Sequence, residues 1–304
     1  MINFSTRPPS VSVVMPVYNG DQYLAEAIHS ILNQTFPDFE FIIVDDGSID
    51  QTCDIIASFR DKRMVLIKND INRGNYPSRN IGMEVARGKY ICVMDADDVA
   101  LPLRLEKQYA YMEQNPGTGI CGSFIKVIPS GFCPEFIVDE QLLKVAFLAN
   151  NYCSHPSLIL RKEFLLRFQL RYNEQYHYSA DFDLCVRAFR YFRVQNIPDV
   201  LLHYRRHTGQ ISTAKFAEQQ KYADNIRLRQ LTENLGFETR GIPASLHLRL
   251  MKEEPIVMEL KTEAEKWVEA IIRKNADCHY YNEKRLQTFL GSLLDICFSL
   301  KRHF

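Results

Sequence analysis

The sequence predicts an α/β fold in which helices flank a mostly parallel central sheet, with an α-helical extension at the C-terminal end. Four short apolar segments in the first hundred residues have the length and composition of buried strands, and one segment with helical spacing lies between each pair. Strands joined in this way run parallel with right-handed crossovers. Beyond residue 213 only helical patterns remain, so we expect a main domain over residues 1–213 and an extension over 214–304.

Composition and charge are those of an ordinary globular protein. Hydrophobic residues make up 46% of the chain and charged residues 24%, and the formal net charge of zero argues against a nucleic-acid partner. The eight cysteines include no Cys-x-x-Cys pair, so zinc-binding and thioredoxin-like interpretations have no support. Residues 1–10 lack the pattern of a signal peptide, and no run approaches the roughly 18 apolar residues of a membrane span. We expect a reduced, cytoplasmic protein.

The predicted elements of the first hundred residues alternate between strand and helix. The strands are Val11–Val17, Phe39–Val44, Met64–Lys68 and Tyr90–Met94, and the helices are Asp21–Gln34, Asp50–Arg60 and the segment from Pro77 to Gly88. We expect Asn19 or Asp21 to cap the first helix and Gly88 to end the third. Further strands are predicted at Gly119–Ile128, Phe136–Val138, Pro156–Leu160 and Val200–Tyr204, and further helices at Pro102–Gln114, Asp139–Ala149, Ser179–Phe192, Ala214–Leu235, Pro255–Lys274 and Glu283–Leu300.

Three carboxylates, Asp95, Asp97 and Asp98, directly follow the fourth strand. Parallel strands end at one edge of a sheet, so this edge should also gather Asp45 and Asp46, and open α/β folds bind ligands there. Carboxylate oxygens are ligands that suit Mg²⁺ or Mn²⁺. The competing interpretation is a polar loop that caps the next helix. No Gly-x-Gly-x-x-Gly and no P-loop follows the first strand, so dehydrogenase and P-loop NTPase interpretations lose their main support.

Several stretches, taken in order from Val11 to about Thr213, resemble the inverting family 2 glycosyltransferases with the GT-A fold, in the style of bacterial surface-polysaccharide enzymes. They are Val11–Asn19, Ile42–Asp50, Ser78–Gly82, Met94–Asp98, Pro102–Glu106, His155, Asp181–Leu184 with Arg187, and Tyr204–His207. The resemblance implies transfer of a sugar from a nucleotide-sugar donor, in most relatives a UDP-sugar, to a hydroxyl with inversion, assisted by Mg²⁺ or Mn²⁺. It also implies a nucleotide-binding half over about residues 1–100 and an acceptor half over about 101–213.

The resemblance assigns the donor site to residues at the sheet edge. Asp97 is the predicted metal ligand, and Asp98 is the alternative to it. Asp95 would contact the ribose or the water shell of the metal, and the neighbouring Ala96 would contact the nucleotide. Asp46 and Asp45 would bind the nucleobase, although for Asp45 an acid that is hydrogen-bonded within its own turn is an equal alternative. The remaining predicted nucleotide contacts are Pro16, Val17, Tyr18 and Arg79.

The predicted catalytic base is Asp181, with Asp183 as the alternative. Relatives open this helix with an acidic pair, and here Ala180 replaces its first member. For Asp183 the preferred interpretation is an acid that stabilises the helix N-terminus.

Four further residues complete the predicted site. His207 could ligate the metal and Arg205 and Arg206 could offset the charge of the diphosphate, although a polar loop explains the three equally well. His155 would contact the acceptor, or else be a structural histidine.

Two other classes of protein compete with a glycosyltransferase. A sugar nucleotidyltransferase would want a basic Gly-rich loop after the first strand, which residues 17–20 lack, and a catalytically impaired nucleotide-sugar binding protein is favoured only by Ala180. The expected acceptor is a saccharide or a lipid-linked saccharide. The apolar segment Phe289–Leu300 and the basic residues 301–303 suggest peripheral contact at the inner face of the cytoplasmic membrane, but we prefer packing within the protein or in a homodimer.

Overall fold

The computed structural model describes residues 7–134 and 136–299, which divide into two compact units. The first unit contains the chain up to Phe136 together with Cys153–Ala214, and the second contains Ile137–Tyr152 and the chain from Lys215 onward. The predicted domain boundary after residue 213 remains a prediction. The sequence carries no signal that Ile137–Tyr152 groups with the C-terminal helices.

The first unit is built on an eight-stranded sheet of order β3-β2-β1-β4-β7-β6-β8-β5. The strands are β1 Val11–Val17, β2 Phe39–Asp45, β3 Met64–Lys68, β4 Tyr90–Val93, β5 Val99–Ala100, β6 Thr118–Ile128, β7 Ile159–Arg161 and β8 Arg193–Arg205. Strands β1 to β4 pair in parallel, as predicted, and β7 pairs antiparallel with both β4 and β6. Both β1 and β2 are buried along their whole length, which explains why most of their residues are apolar.

Helices join and cover these strands in the first unit. They are α1 Leu24–Leu32, α2 Thr52–Ser58, α3 Asn75–Val85, α4 Arg104–Gln114, α6 Lys162–Arg167, α7 Ala180–Ala188 and α8 Ile211–Ala214. Helix α1 begins after Tyr23 without a side-chain cap, so the predicted cap at Asn19 or Asp21 is wrong. The side chain of Asn19 instead accepts a hydrogen bond from the backbone of Ile49 and ties the two loops of the sheet edge together.

Three strand predictions differ from the structure. Phe136–Val138 is not a strand, and β5 was missed because two residues are too few to show a period. Strand β8 begins at Arg193, seven residues before the predicted start, because it pairs with β6 along nearly its whole length. The first half of β8 contains both buried and exposed residues and lies next to a bulge in the pairing with β6. The local hydrophobicity pattern therefore does not indicate a strand there.

The prediction that Gly88 ends helix α3 is wrong. The helix ends at Val85 with Ala86 as its C-cap, and Gly88 does not adopt a left-handed φ. Glycine is needed there for a close approach, because a Cβ at this position would lie 2.6 Å from the backbone nitrogen of Ser12 and 2.7 Å from the carbonyl carbon of Val11.

We expect Gly88→Ala to lower the free energy of unfolding of the first unit by about 1–3 kcal/mol, the usual range for an overpacked core. The added methyl group collides with the backbone of β1, which cannot move without disturbing the sheet. Gly117→Ala is the matched control, because its Cβ would meet only Arg193 Cδ, at 4.0 Å. Urea denaturation of both variants checks this, and equal midpoints would contradict it.

The second unit contains helices and no strand among its described residues. Its helices are α5 Glu140–Ala146, α9 Phe216–Leu235, α10 Ala244–Met251, α11 Lys261–Cys278 and α12 Glu283–Ser299. Gly236 ends α9 with a left-handed φ of 67°. The apolar face of α12 (Leu286, Leu290, Leu293 and Cys297) is buried in the core of this unit, so packing within the unit accounts for it. Leu300 and the basic residues 301–303 lie outside the described residues. Among the residues that the structure describes, no helix is long and apolar enough to cross a membrane.

Candidate active site

The carboxyl ends of β1, β2 and β4 meet at one edge of the sheet. Val17 at the end of β1 lies opposite Asp45 at the end of β2, and the backbone N–H of Asp46 donates to the carbonyl of Val17. On the other side of β1, the backbone N–H of Met94 donates to Val14. The side chains that follow each strand therefore converge, as the parallel topology predicts.

Asp95, Asp97 and Asp98 each present one carboxylate oxygen, and these three oxygens lie within 4.8 Å of one another. Asp98 is 1% exposed, and its Oδ2 has no hydrogen-bond partner among the described residues. Burial, followed by the charges of Asp97 and Asp95, raises the pKa of Asp98 well above its usual range; burial and Asp95 also raise the pKa of Asp97. Crowded, partly desolvated carboxylates with an unpaired buried oxygen form a donor set that fits a hard divalent cation.

Arg79 is wholly buried and does not reach an open surface. Its guanidinium donates to the carbonyl of Met94 at 3.1 Å and to Asp95 Oδ1 at 2.5 Å. Asp95 itself is one-quarter exposed. Arg79 therefore holds Asp95 at the mouth of the site, and the predicted direct contact between Arg79 and the nucleotide has no exposed atom to support it.

The loop after β8 returns to the same carboxylates. His207 Nε2 lies 2.9 Å from Asp97 Oδ2, and both side chains are about one-quarter exposed. Arg205 donates through Nε to the carbonyl of Asp97 at 2.8 Å and through Nη2 to Glu26 at 2.5 Å, with its guanidinium 4.6 Å from the Tyr23 ring centre. Through these contacts Arg205 holds the loop that carries Asp95, Asp97 and Asp98 in place.

Arg206 differs from its neighbour Arg205. Its side chain is exposed and makes no hydrogen bond or ion pair with the described part of the chain. It is therefore the arginine of this loop that remains available to an anionic ligand.

Asp45 and Asp46 are both almost completely buried. Asp46 accepts hydrogen bonds from the backbone N–H groups of Arg73 and Gly74 at 2.9 and 2.8 Å, and so fixes the loop that leads into α3. Asp45 accepts from the backbone of Ser48 at 3.0 Å, which corresponds to the alternative interpretation of Asp45 as a turn acid.

The predicted lining of the nucleobase pocket lies at the end of β1 and in the loops that follow β1 and β4. Pro16 and Val17 are buried at the end of β1, whereas the ring of Tyr18 is 46% exposed just beyond it. Ala96 lies partly buried between Asp95 and Asp97. Tyr18 is thus the side chain of this group that can stack on a planar base.

Asp181 and Asp183 open α7 and have different surroundings. Asp183 is fully buried, and Arg187 donates to its Oδ2 at 2.8 Å, so it forms a structural ion pair. Asp181 is only partly buried, and its Oδ1 accepts a hydrogen bond from the hydroxyl of Tyr76 at 2.8 Å. Ala180 is completely buried. Asp181 is therefore the accessible carboxylate of the pair.

His155 lies against two tyrosines next to Asp181. Its Nε2 is 2.9 Å from the hydroxyl of Tyr172, and its ring makes an edge contact with Tyr76, with centroids 5.9 Å apart. Burial, and then the charge of Arg79, lowers the pKa of His155, so the ring is neutral near pH 7. These contacts fit the structural interpretation of His155 better than an acceptor contact.

Reasoning from the sequence missed two residues that shape the site. Arg104 is completely buried and donates to the carbonyl of Val93 at 2.6 Å, which fixes the end of β4 just before the acidic cluster. The sequence indicated Arg104 through its place in Pro102–Glu106, one of the stretches that resemble the glycosyltransferase family. No local sequence pattern predicted the role of Tyr76, because its hydrogen-bond partner Asp181 is 105 residues away in the chain.

Comparison with known proteins identifies the class to which this site belongs. The family description Glycosyl transferase family 2 matches residues 12–134. An uncharacterized glycosyltransferase of Methanocaldococcus jannaschii is 39% identical over 208 residues, which cover 65% of this chain and 71% of that protein. The chain therefore belongs to glycosyl transferase family 2 and is a glycosyltransferase, as the sequence predicted.

Two relatives in Escherichia coli are glycosyltransferases with more specific names. The O-antigen biosynthesis glycosyltransferase WbnJ is 35% identical over 225 residues, covering 68% of this chain and 83% of WbnJ. The UDP-Glc:alpha-D-GlcNAc-diphosphoundecaprenol beta-1,3-glucosyltransferase WfaP is 30% identical over 213 residues, covering 68% and 82%. The chain thus has relatives in O-antigen biosynthesis.

Solved structures confirm the predicted GT-A type of fold. S. aureus TarS 1-349 in complex with UDP-GlcNAc superposes with a TM-score of 0.60 at 17% identity, covering 95% of this chain and 89% of TarS. The mannosyltransferase PcManGT from Pyrobaculum calidifontis, in complex with GDP-Man and Mn²⁺, has a TM-score of 0.58 at 15% identity and covers 97% and 87%.

Proposed function

We propose that this protein is a metal-dependent inverting glycosyltransferase that moves a sugar from a UDP-sugar to a hydroxyl of a saccharide or lipid-linked saccharide acceptor. The observation that carries the proposal is the convergence of Asp95, Asp97 and Asp98 at the edge where β1, β2 and β4 end. In support, two solved neighbours of similar fold were crystallised with nucleotide sugars, one of them with Mn²⁺.

Asp97 is the proposed principal ligand of Mg²⁺ or Mn²⁺, with Asp95 beside it and His207 as a further ligand. When bound, the cation supplies positive charge that stabilises the departing diphosphate. Arg79 fixes one oxygen of Asp95, and Arg205 holds the backbone of Asp97, so the donor groups are oriented before any ligand arrives. Arg206 is the proposed additional cation for the diphosphate.

The nucleotide is proposed to lie over the ends of β1 and β2, with its base against Tyr18. Asp46 contributes by holding the loop that leads into α3, because its carboxylate already accepts three hydrogen bonds from Asn69, Arg73 and Gly74. Through that loop it shapes the wall of the pocket.

Asp181 is the proposed general base. An acceptor hydroxyl is a weak nucleophile, so its attack on the anomeric carbon needs a carboxylate that takes its proton. Asp181 is accessible and opens a helix, whereas Asp183 is fully buried and its Oδ2 is engaged by Arg187. A base on the face opposite the leaving diphosphate gives inversion in one displacement.

The proposed process is synthesis of a cell-surface polysaccharide, at the cytoplasmic side of the membrane. WbnJ and WfaP support this proposal, since the name of WfaP specifies a UDP-glucose donor and an acceptor linked to diphosphoundecaprenol. Peripheral membrane contact and a homodimer through the C-terminal helices remain predictions.

A panel of UDP-, GDP- and dTDP-sugars tests the proposal. Nucleotide release is measured with Mn²⁺, Mg²⁺ or EDTA, with and without GlcNAc-diphosphate-lipid and free oligosaccharide acceptors. We expect release from one UDP-sugar that requires both metal and acceptor. Donor binding without turnover on any acceptor would instead indicate a nucleotide-sugar binding protein, the alternative that Ala180 favours. Absence of binding to every donor would overturn the proposal.

A further inference from the structure

The first five residues of α3 include two whose side chains each hold a carboxylate of the proposed site. Arg79 donates to Asp95, and Tyr76, three residues earlier, donates to Asp181. Residues three apart lie on the same side of a helix, so one rigid element presents both donors. The backbone just before α3 is itself fixed by Asp46, whose carboxylate accepts hydrogen bonds from the N–H groups of Arg73 and Gly74.

The ring of Tyr76 is held on two sides. It is stacked on Tyr172 with centroids 5.2 Å apart and an interplanar angle of 27°, and the ring of His155 meets it edge-on. Tyr172 is itself fixed by its hydroxyl contact with His155. Tyr76 is only 7% exposed, so its hydroxyl has little freedom to turn away from Asp181.

We propose that Tyr76 is a positioning residue for the general base: its hydroxyl orients Asp181 toward the acceptor and stabilises the ionised carboxylate. This inference rests on the proposed role of Asp181. A hydrogen bond donated to a carboxylate favours its charged form, which is the form that accepts a proton. Ala180 offers no acid at this helix start, and the hydroxyl of Tyr76 contacts Asp181 from outside the helix that carries it.

Five buried ionisable side chains around Asp181 stay neutral near pH 7. Burial raises the pKa of Tyr76 far above its usual value, as it does for Tyr172, Cys153 and Cys185, and lowers that of His155. The nearby charged groups, Asp183 with Arg187 and Arg79 with Asp95, are engaged in ion pairs. A change in pH response caused by the loss of the Tyr76 hydroxyl therefore reports on Asp181.

The test compares Tyr76→Phe with Tyr172→Phe. Both variants remove one hydroxyl from the same stacked pair, but of the two only the Tyr76 hydroxyl bonds to Asp181 at 2.8 Å. For Tyr76→Phe we expect kcat to fall about ten- to a hundredfold and the acid limb of the kcat profile to move up by about one pH unit. We expect an unchanged Kd for the UDP-sugar that wild type uses, and an acid limb at the wild-type position for Tyr172→Phe.

A second measurement separates positioning from a general loss of structure. In the Asp181→Asn background, Tyr76→Phe should cause no further loss of the residual rate, because the group it positions is already inactive. Additive losses, an unshifted acid limb or an equal weakening of donor binding would overturn the inference. Failure of wild type to transfer sugar would instead overturn the proposed function itself, so the two failures are distinguishable.

Discussion

Asp97→Asn is expected to lower metal-dependent sugar transfer by about 10³-fold, the loss that corresponds to several kcal/mol of charge stabilisation at the leaving group. The amide keeps the size of the side chain and can still contact His207, which lies 2.9 Å from Asp97 Oδ2. It removes one negative charge from a cluster of three carboxylates. The affinity for Mn²⁺ in the presence of the donor nucleotide should therefore fall together with the rate.

Calorimetric titration of Mn²⁺ and the steady-state transfer rate check this expectation. Asp54→Asn is the matched control: it removes the same charge from an exposed position on α2 and should leave both quantities unchanged. The thermal midpoint of Asp97→Asn should equal or exceed that of wild type, because the substitution relieves repulsion among crowded acids. Wild-type rates at saturating Mn²⁺ would show that Asp97 is not a ligand.

Asp181→Asn is expected to lower kcat by about 10²–10⁴-fold while the affinity for the nucleotide sugar stays the same. An asparagine oxygen can still accept the hydrogen bond of Tyr76, so the local structure is preserved. It cannot take a proton from the acceptor hydroxyl. The donor pocket lies at the strand ends and contains no atom of α7 among its proposed contacts.

Asp183→Asn provides the contrasting result. It breaks a buried ion pair with Arg187, and removal of one partner of such a pair typically costs about 3–5 kcal/mol of stability. We therefore expect a lower thermal midpoint with kcat per folded molecule close to wild type. If the two variants exchanged these behaviours, Asp183 rather than Asp181 would be the base.

The sequence alone placed the sheet and the acidic cluster. The first four strands could be predicted because strand length, apolar composition and the intervening helical spacing are local properties of the chain. Their parallel pairing then followed from connectivity, and with it the convergence of Asp46 and Asp97 at one edge. Strand β8 and the two-residue β5 were harder because their pairing is with distant segments and interrupts local periodicity.

Tertiary structure decided which polar side chains remain accessible. Arg79, Arg205 and Asp183 were candidates for ligand contact or catalysis, yet each is engaged by partners within the protein, whereas Asp181 and Arg206 keep exposed surface. The physical reason is the distance along the chain between hydrogen-bond partners: Glu26 is 179 residues from Arg205, and Tyr76 is 105 residues from Asp181. Local sequence determines where a charged residue falls on a strand or helix, but only the folded chain determines whether another residue has already neutralised it.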